Sequence, residues 1–140
     1  MTGREARKKS LYTVPSSPEE PPELLIGQCA CGHRFFPPHR YGCEACGADE
    51  AGISIERTPA EGEIRSYAVT HFQTRSDGSG PLLVGEVLLD AGPCVAAVID
   101  SPEETGLEAG LRVSGRLVPV GEEGGRTIVD CVFVPEGGDA

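Results

Sequence analysis

From residue 53 onward, hydrophobic and polar positions follow the pattern of short β-strands. Ile53-Ser54-Ile55-Glu56 alternates apolar and polar residues with the two-residue period of a strand. Further apolar runs follow, separated by glycine, proline and acidic residues. They cover 63–72, 82–90, 94–100, 111–120 and 126–134. These five further runs are the five principal strands that the pattern predicts, after the short alternating segment at 53–56.

The connections between these runs carry turn signals. The polar, glycine-rich stretch 75–81 predicts a loop, and 122–125 predicts a hairpin turn. At 101–105, a serine N-cap, a proline at N1 and two glutamates predict a single helical turn. The run 94–100 is almost entirely apolar, as expected of a strand buried on both faces. Five strands with a helical turn between the third and fourth are typical of a Greek-key barrel of the OB-fold type.

The N-terminal third of the chain has a different composition. Residues 1–23 are polar and rich in proline, so they predict either a solvated tail or an arm that orders on a partner. Residues 24–52 contain four of the six cysteines and few apolar residues. The predicted organisation is thus an arm at 1–23, a cysteine-rich segment at 24–52, a barrel at 53–134 and a flexible tail at 135–140.

The cysteine-rich segment has the spacing of a metal site. Cys29-x-Cys31-Gly and Cys43-x-x-Cys46-Gly form two knuckles that can supply four thiolates to a tetrahedral Zn²⁺. Without much apolar material, the segment needs such a metal to offset its ordering entropy. The alternatives are four free thiols, or disulfides within each pair. His33 or His39 could also replace one ligand. Four cysteines leave no open position, so the zinc would be structural.

Composition and charge narrow the function classes. The net charge is −10, and no lysine follows Lys9. So acidic a surface repels phosphate backbones and makes nucleic acid a poor candidate ligand. The sequence has neither an apolar run long enough to span a membrane nor the apolar core of a secretory signal. These features predict a cytoplasmic protein, and in a reducing compartment clustered cysteines favour metal over disulfides. Cys94 and Cys131 lie in apolar runs and are expected to pack as small hydrophobic residues.

The order of these motifs resembles a known family. A cysteine pair, Phe-Pro-Pro, a Cys-x-x-Cys-Gly knuckle and a five-stranded barrel are similar to the zinc-ribbon plus OB-fold proteins encoded beside thiolases. This acyl-CoA-associated family was formerly called domain of unknown function thirty-five. The resemblance covers about 24–134 and implies a mainly β protein, with an N-terminal rubredoxin-like zinc ribbon before the OB-fold barrel. It is carried by Cys29, Cys31-Gly32, Phe36-Pro37-Pro38, Arg40, Cys43-Glu44-Ala45-Cys46-Gly47, the stretch 62–69 and Leu111-Arg112-Val113.

The resemblance implies a function without catalysis by this chain. Members of the family bind a thiolase-fold enzyme and support its acyl-CoA site, in acyl transfer, condensation or retro-aldol cleavage of CoA thioesters. A 2:2 assembly with the partner is the family expectation. By resemblance, this chain would be such an accessory subunit, with structural Zn²⁺ and a CoA thioester shared with the partner.

One segment offers a candidate surface for CoA or for the partner. It is the only cluster of cations and aromatic rings in an acidic chain. Arginines here could contact CoA phosphates, and the rings could stack on adenine. Alternatively, the aromatic residues pack the ribbon onto the barrel and the arginines are solvated. The candidate residues are Arg34, Phe35, Phe36, Pro37, Pro38, His39, Arg40 and Tyr41.

Two other function classes are less well supported by the sequence. An independent enzyme would need a nucleophile and a base, but the chain has three histidines and no arrangement that suggests a catalytic set. His71, in the barrel, is expected to be a strand-end residue. A stand-alone OB-fold protein that binds acyl-CoA or single-stranded nucleic acid is the alternative. A nucleic-acid binder would carry basic, aromatic strands, whereas residues 60–134 contain 5 arginines and 12 acidic residues.

Overall fold

The computed structural model describes residues 3–17, 19–39, 41–74, 81–100 and 107–135. The helical turn predicted at 101–105 lies outside these ranges, as do the loop predicted at 75–81, except residue 81, and the tail predicted at 135–140, except residue 135. Within the described part of the chain, no helix has the length and apolar character needed to cross a membrane.

The described residues form nine β-strands and one 3₁₀ turn, Glu50–Gly52. The strands are β1 (Arg4–Ala6), β2 (Glu23–Cys29), β3 (Arg34–Phe35), β4 (Ile53–Pro59), β5 (Glu61–Thr74), β6 (Pro81–Leu89), β7 (Cys94–Val98), β8 (Arg112–Glu123) and β9 (Arg126–Pro135).

Strands β5 to β9 form the barrel that the sequence predicts. Antiparallel pairing joins β7 to β6, β6 to β5, β5 to β8 and β8 to β9. A parallel bridge between Ile99 and Phe133 then connects the end of β7 to β9. The cyclic order β5–β6–β7–β9–β8 is that of an OB-type barrel. The predicted mainly β fold class is confirmed, and each of the five apolar runs corresponds to one of these strands.

The ribbon forms a separate antiparallel sheet in the order β3-β2-β4. β2 and β4 pair over their full lengths, from Glu23 with Pro59 to Cys29 with Ile53. The sequence pattern assigned residues 53–59 to the barrel, because their alternation resembles that of the strands that follow. In the structure these residues complete the ribbon sheet, and the barrel begins with β5.

Two apolar clusters stabilise these sheets. The larger cluster fills the barrel and extends to the first half of β2, whose Leu24 and Ile26 are buried in it. The smaller cluster lies beneath the cysteines and consists of Cys29, Phe35, Cys43 and Ile53, with Ala48 against it. So few buried residues provide little hydrophobic stabilisation, which agrees with the need for a metal inferred from the composition.

The N-terminal segment differs from the expectation of an arm or tail. β1 pairs in parallel with β9, and Tyr12 bridges to Leu24 of β2. Tyr12 is only 4% exposed. Its hydroxyl donates to Asp130 Oδ1 at 2.8 Å and lies 3.0 Å from the carbonyl oxygen of Val129. A buried, hydrogen-bonded tyrosine thus fixes this proline-rich segment across the junction of ribbon and barrel.

β7 also differs from its prediction, because it is not buried on both faces. Val95 and Ile99 point into the barrel core, whereas Ala96 is exposed and Cys94 and Val98 are half-buried. The outward face of this strand is therefore apolar although no described element covers it completely. Cys131 on β9 packs against the core, as predicted, and burial raises the pKa of its thiol to about 12.

Candidate functional site

The four cysteines of the two knuckles meet at one end of the ribbon sheet. Cys29 ends β2, and the turn after it is closed by hydrogen bonds from Gly32 N–H to the Cys29 carbonyl and from Cys29 N–H to the His33 carbonyl. In the second knuckle, Gly47 N–H donates to the Cys43 carbonyl at 2.8 Å. Gly32 and Gly47 have φ of 99° and 78°, so each knuckle needs a residue without a side chain at its turn.

The sulfur positions fit a tetrahedral metal ion. All four Sγ atoms lie within 4.8 Å of one another. Cys29 Sγ is 3.6 Å from Cys46 Sγ, and Cys31 Sγ is 3.8 Å from Cys43 Sγ. Four sulfurs at about 2.3 Å from a central Zn²⁺ would be about 3.8 Å apart. All six cysteines are free thiols, and the donor set of the group is purely sulfur. These residues could therefore hold a metal ion with no position left for substrate.

Electrostatics within the group also favour a cation. Desolvation acts to raise the pKa of Cys43, but backbone N–H groups of Cys46 and Ala45 donate to its sulfur and lower the pKa to about 6. At Cys46, a backbone hydrogen bond from Ala48 acts to lower the pKa, whereas the three neighbouring thiols raise it to about 12. Ionisation of one thiol thus opposes ionisation of its neighbours, and a divalent cation would stabilise all four sulfurs as thiolates.

The two histidines of the segment lie outside the sulfur group. His33 Nε2 is 3.2 Å from Glu44 Oε1, and the His33 ring stacks on Phe35 with 5.8 Å between centroids. His39 lies between two rings, at 4.5 Å from Phe35 and 5.2 Å from Tyr41. Neither belongs to the group of close ligand atoms found among the described residues. Both imidazoles are part of an aromatic stack next to the cysteines.

Two of the predicted surface residues have a packing role. Phe35 is buried in the small cluster beneath the cysteines, and its ring covers Gly27 so closely that a Cβ there would lie 2.2 Å from it. Phe36 is half-buried and packs against the barrel core. Both rings therefore make packing contacts, Phe35 within the ribbon and Phe36 against the barrel. Gly27 is a residue that the sequence analysis missed, although glycine inside a strand signals close approach of another group.

The remaining candidates are more accessible. Tyr41 is 92% exposed at the end of the aromatic stack. Arg34 is exposed, and its guanidinium donates to the carbonyl of Ala91 at 3.0 Å, which joins the ribbon to the β6–β7 turn of the barrel. Pro37 is exposed, and Pro38 is half-buried. Arg40 lies outside the described residues. The structure thus stacks the His39 and Tyr41 rings at the surface, whereas the Arg34 side chain contacts the β6–β7 turn of the barrel.

Comparison with known proteins supports the fold. No protein-family model matches the chain, and no curated protein is sufficiently similar to count as a match. Among solved structures, the chain is similar to one titled "Ltp2-ChsH2(DUF35) aldolase", with a TM-score of 0.62 and 24% identity, over 81% of this chain and 84% of that one. A DUF35 protein of unknown function from Sulfolobus solfataricus matches at 13% identity and a TM-score of 0.47, over 77% and 75% of the two chains.

The similarity to the Ltp2–ChsH2 structure establishes the class of the fold. That neighbour carries the DUF35 name, which is the name of the family that the sequence motifs resemble. The chain therefore has the ribbon-plus-barrel fold of DUF35 proteins, with a four-cysteine group at the end of the ribbon.

Proposed function

We propose that this chain is a zinc-containing accessory subunit of a thiolase-like enzyme that acts on CoA thioesters. The observation that carries the proposal is the fold shared with the structure of the "Ltp2-ChsH2(DUF35) aldolase". The four-cysteine group supports it, because a sulfur tetrahedron with 3.6 and 3.8 Å edges suits a structural Zn²⁺. The partner would carry out the chemistry, by retro-aldol cleavage, condensation or acyl transfer.

The role of each part follows from its chemistry. Zinc at Cys29, Cys31, Cys43 and Cys46 would hold the two knuckles and keep the aromatic stack in place. The more accessible candidate residues would then form a preorganised surface for the partner, and the more buried ones would support it. The first group is Arg34, Pro37, His39 and Tyr41, and the second is Phe35, Phe36 and Pro38. Arg40 completes this set by its position in the sequence. A CoA thioester bound between this chain and the partner could pair its phosphates with the arginines and stack its adenine on the exposed Tyr41 ring.

Affinity purification from the native cell extract tests this proposal. The tagged chain should retain a thiolase-fold protein in near-equal amount, in a 2:2 assembly, with about one zinc per chain. Cys43→Ser should lose both the zinc and the partner. Cys94→Ser is the matched control, because Cys94 lies on β7 and outside the sulfur group, so it should keep the zinc. Retention of the partner by a zinc-free Cys43→Ser protein would contradict the role given to the ribbon.

The stand-alone alternative predicts a different result from the same preparation. A binding protein for acyl-CoA or single-stranded nucleic acid would elute alone and bind one of these ligands directly. Titration of the purified chain with a CoA thioester and with a single-stranded oligonucleotide separates the two. Saturable binding of either ligand by a chain without a partner would replace the accessory-subunit proposal.

A further inference from the structure

Along most of its length, the edge of β7 that faces away from β6 pairs with no strand in the described structure. β7 pairs with β6 along its other edge, and its only link to β9 is the bridge between Ile99 and Phe133 beyond its last residue. Ile99 N–H donates to the Leu83 carbonyl of β6. Because backbone groups alternate direction along a strand, the N–H groups of Cys94, Ala96 and Val98 point away from β6. These donors lie along the outer edge of the sheet.

The edge of β9 that faces β7 also lacks a strand partner next to this part of β7. Val129 accepts a hydrogen bond from Arg7 N–H, and Phe133 accepts one from Asp100 N–H at 2.8 Å. Cys131 lies between these two positions and shares their direction. Its N–H donates to Asp130 Oδ1 at 3.0 Å instead of to a strand. The two strands therefore meet at Phe133 and diverge along Cys131.

An apolar groove fills the space between the diverging strands. Its volume is about 260 Å³, and four consecutive residues of β7, 95–98, line it. Side chains alternate between faces along a strand, so four consecutive lining residues mean that the groove runs along the edge of β7. Leu11 and Phe36 form part of the other walls. The charged lining residues are Lys8 and Asp130, and the Asp130 carboxylate is engaged by the hydroxyl of Tyr12.

β7 lacks the features that normally protect an exposed strand edge. Its sequence, Cys-Val-Ala-Ala-Val, contains no charge and no proline, and its register with β6 is uninterrupted. Edge strands of monomeric proteins usually carry a charge, a proline or a bulge. β1, at the other end of the same sheet, carries Arg4 and Glu5. The residues of β7 that point away from the core are thus apolar, like those of a strand that another element covers. The sequence analysis predicted such burial on both faces of this strand.

We propose that the outer edge of β7 receives an extended, uncharged segment of the partner protein, which adds to the barrel sheet as a further strand. Backbone groups would form the hydrogen bonds, and the groove would take small apolar side chains of the added segment. The inference rests on the proposed function, because the partner is the enzyme named there. A second copy of this chain is a less favourable occupant, since each copy carries a net charge of −10. Phe36 lines the groove, so the added strand would continue the surface at 34–41.

Hydrogen exchange at single-amide resolution, on the free chain and on the purified complex, tests the proposal. The amides of Cys94, Ala96 and Val98 should exchange at least about tenfold more slowly in the complex. Val95 and Ala97 amides point toward β6 and serve as internal controls. A complex that forms without slowing the three outer amides overturns the strand addition but leaves the proposed function intact. Protection in the free chain that grows with its concentration identifies a second copy as the occupant and also overturns it. A chain that captures no partner overturns both.

A pair of substitutions at one position provides an independent measurement. Ala96→Pro removes an N–H that points away from β6, so the β6–β7 ladder keeps its bonds. Ala96→Ser retains the N–H on a similarly small side chain. Ala96→Pro should bind the partner at least about tenfold more weakly than Ala96→Ser, with the same zinc content and thermal transition in the two variants. A folded Ala96→Pro protein with undiminished affinity overturns the proposal. Should Ala96→Pro not fold, the exchange measurement decides alone.

Discussion

Tyr12→Phe tests whether the N-terminal segment is a structural part of the barrel. The substitution keeps the buried ring and removes one hydroxyl, which donates to Asp130 Oδ1 at 2.8 Å, lies 3.0 Å from the Val129 carbonyl oxygen and accepts from Lys8 N–H at 3.2 Å. Burial, followed by the hydrogen bond to Asp130, raises the pKa of the phenol, so the hydroxyl is the protonated donor at neutral pH.

The magnitude follows from the bonds that are lost. A hydrogen bond to a charged acceptor contributes about 1.5–3 kcal/mol, and a neutral one about 1 kcal/mol. Asp130 still accepts from Cys131 N–H and lies 3.6 Å from the Arg7 guanidinium, so its carboxylate keeps partners in the variant. We therefore expect Tyr12→Phe to lower the free energy of unfolding by about 2–3 kcal/mol, without the larger cost of an orphaned charge.

Urea denaturation at pH 7 in zinc-saturated buffer measures this change through the midpoint and the slope. Tyr41→Phe is the matched control, because Tyr41 is 92% exposed and the same atom is removed there. The control should change the free energy of unfolding by less than about 0.5 kcal/mol. Equal, small effects of the two substitutions would refute the view that the hydroxyl of Tyr12 holds the N-terminal segment on β9.

Three further predictions concern the ribbon and the barrel surface. Removal of the metal by a chelator should unfold the two knuckles but not the barrel, because the ribbon and the barrel have separate apolar clusters. Hydrogen exchange that becomes rapid only in the ribbon would confirm this. Gly27→Ala should cost about 1–3 kcal/mol, because its Cβ would lie 2.2 Å from the Phe35 ring; an unchanged thermal transition would contradict that packing. The Arg112 guanidinium lowers the pKa of Asp90, so this pair stabilises the fold above the ordinary carboxyl pKa and is lost as pH falls through the lowered value. Both side chains are about half exposed, so Arg112→Gln should cost under about 1 kcal/mol at pH 7, and denaturation at a series of lower pH values should show this cost shrinking as Asp90 is protonated.

The barrel strands were predictable because hydrophobic period and turn residues act locally. The five apolar runs needed no knowledge of tertiary contacts, and the barrel order followed from their number and spacing. The meeting of Cys29, Cys31, Cys43 and Cys46 was equally predictable, since knuckle spacing limits how far apart the sulfurs can lie. Zinc itself remains a prediction tested by the metal content.

Other features depended on contacts between distant segments. β4 pairs with β2 and not with the barrel, which its alternating pattern could not reveal. Tyr12 binds Asp130, 118 residues away, so the proline-rich composition around it gave a misleading expectation. The run Leu11-Tyr12 was the available signal, as a tyrosine beside a leucine interrupts an otherwise polar segment. The aromatic stack from His33 to Tyr41 likewise required the fold of the second knuckle.

Native mass spectrometry of the assembly purified from its own cells tests the central proposal most directly. One spectrum reports the partner, the copy number of each chain and the metal content. The proposal predicts two copies of this chain with two copies of a thiolase-fold enzyme, and about one zinc for each copy of this chain. A zinc-loaded monomer with no second protein would contradict the role as an accessory subunit. A complex with the enzyme but without metal would contradict the structural role of the four cysteines.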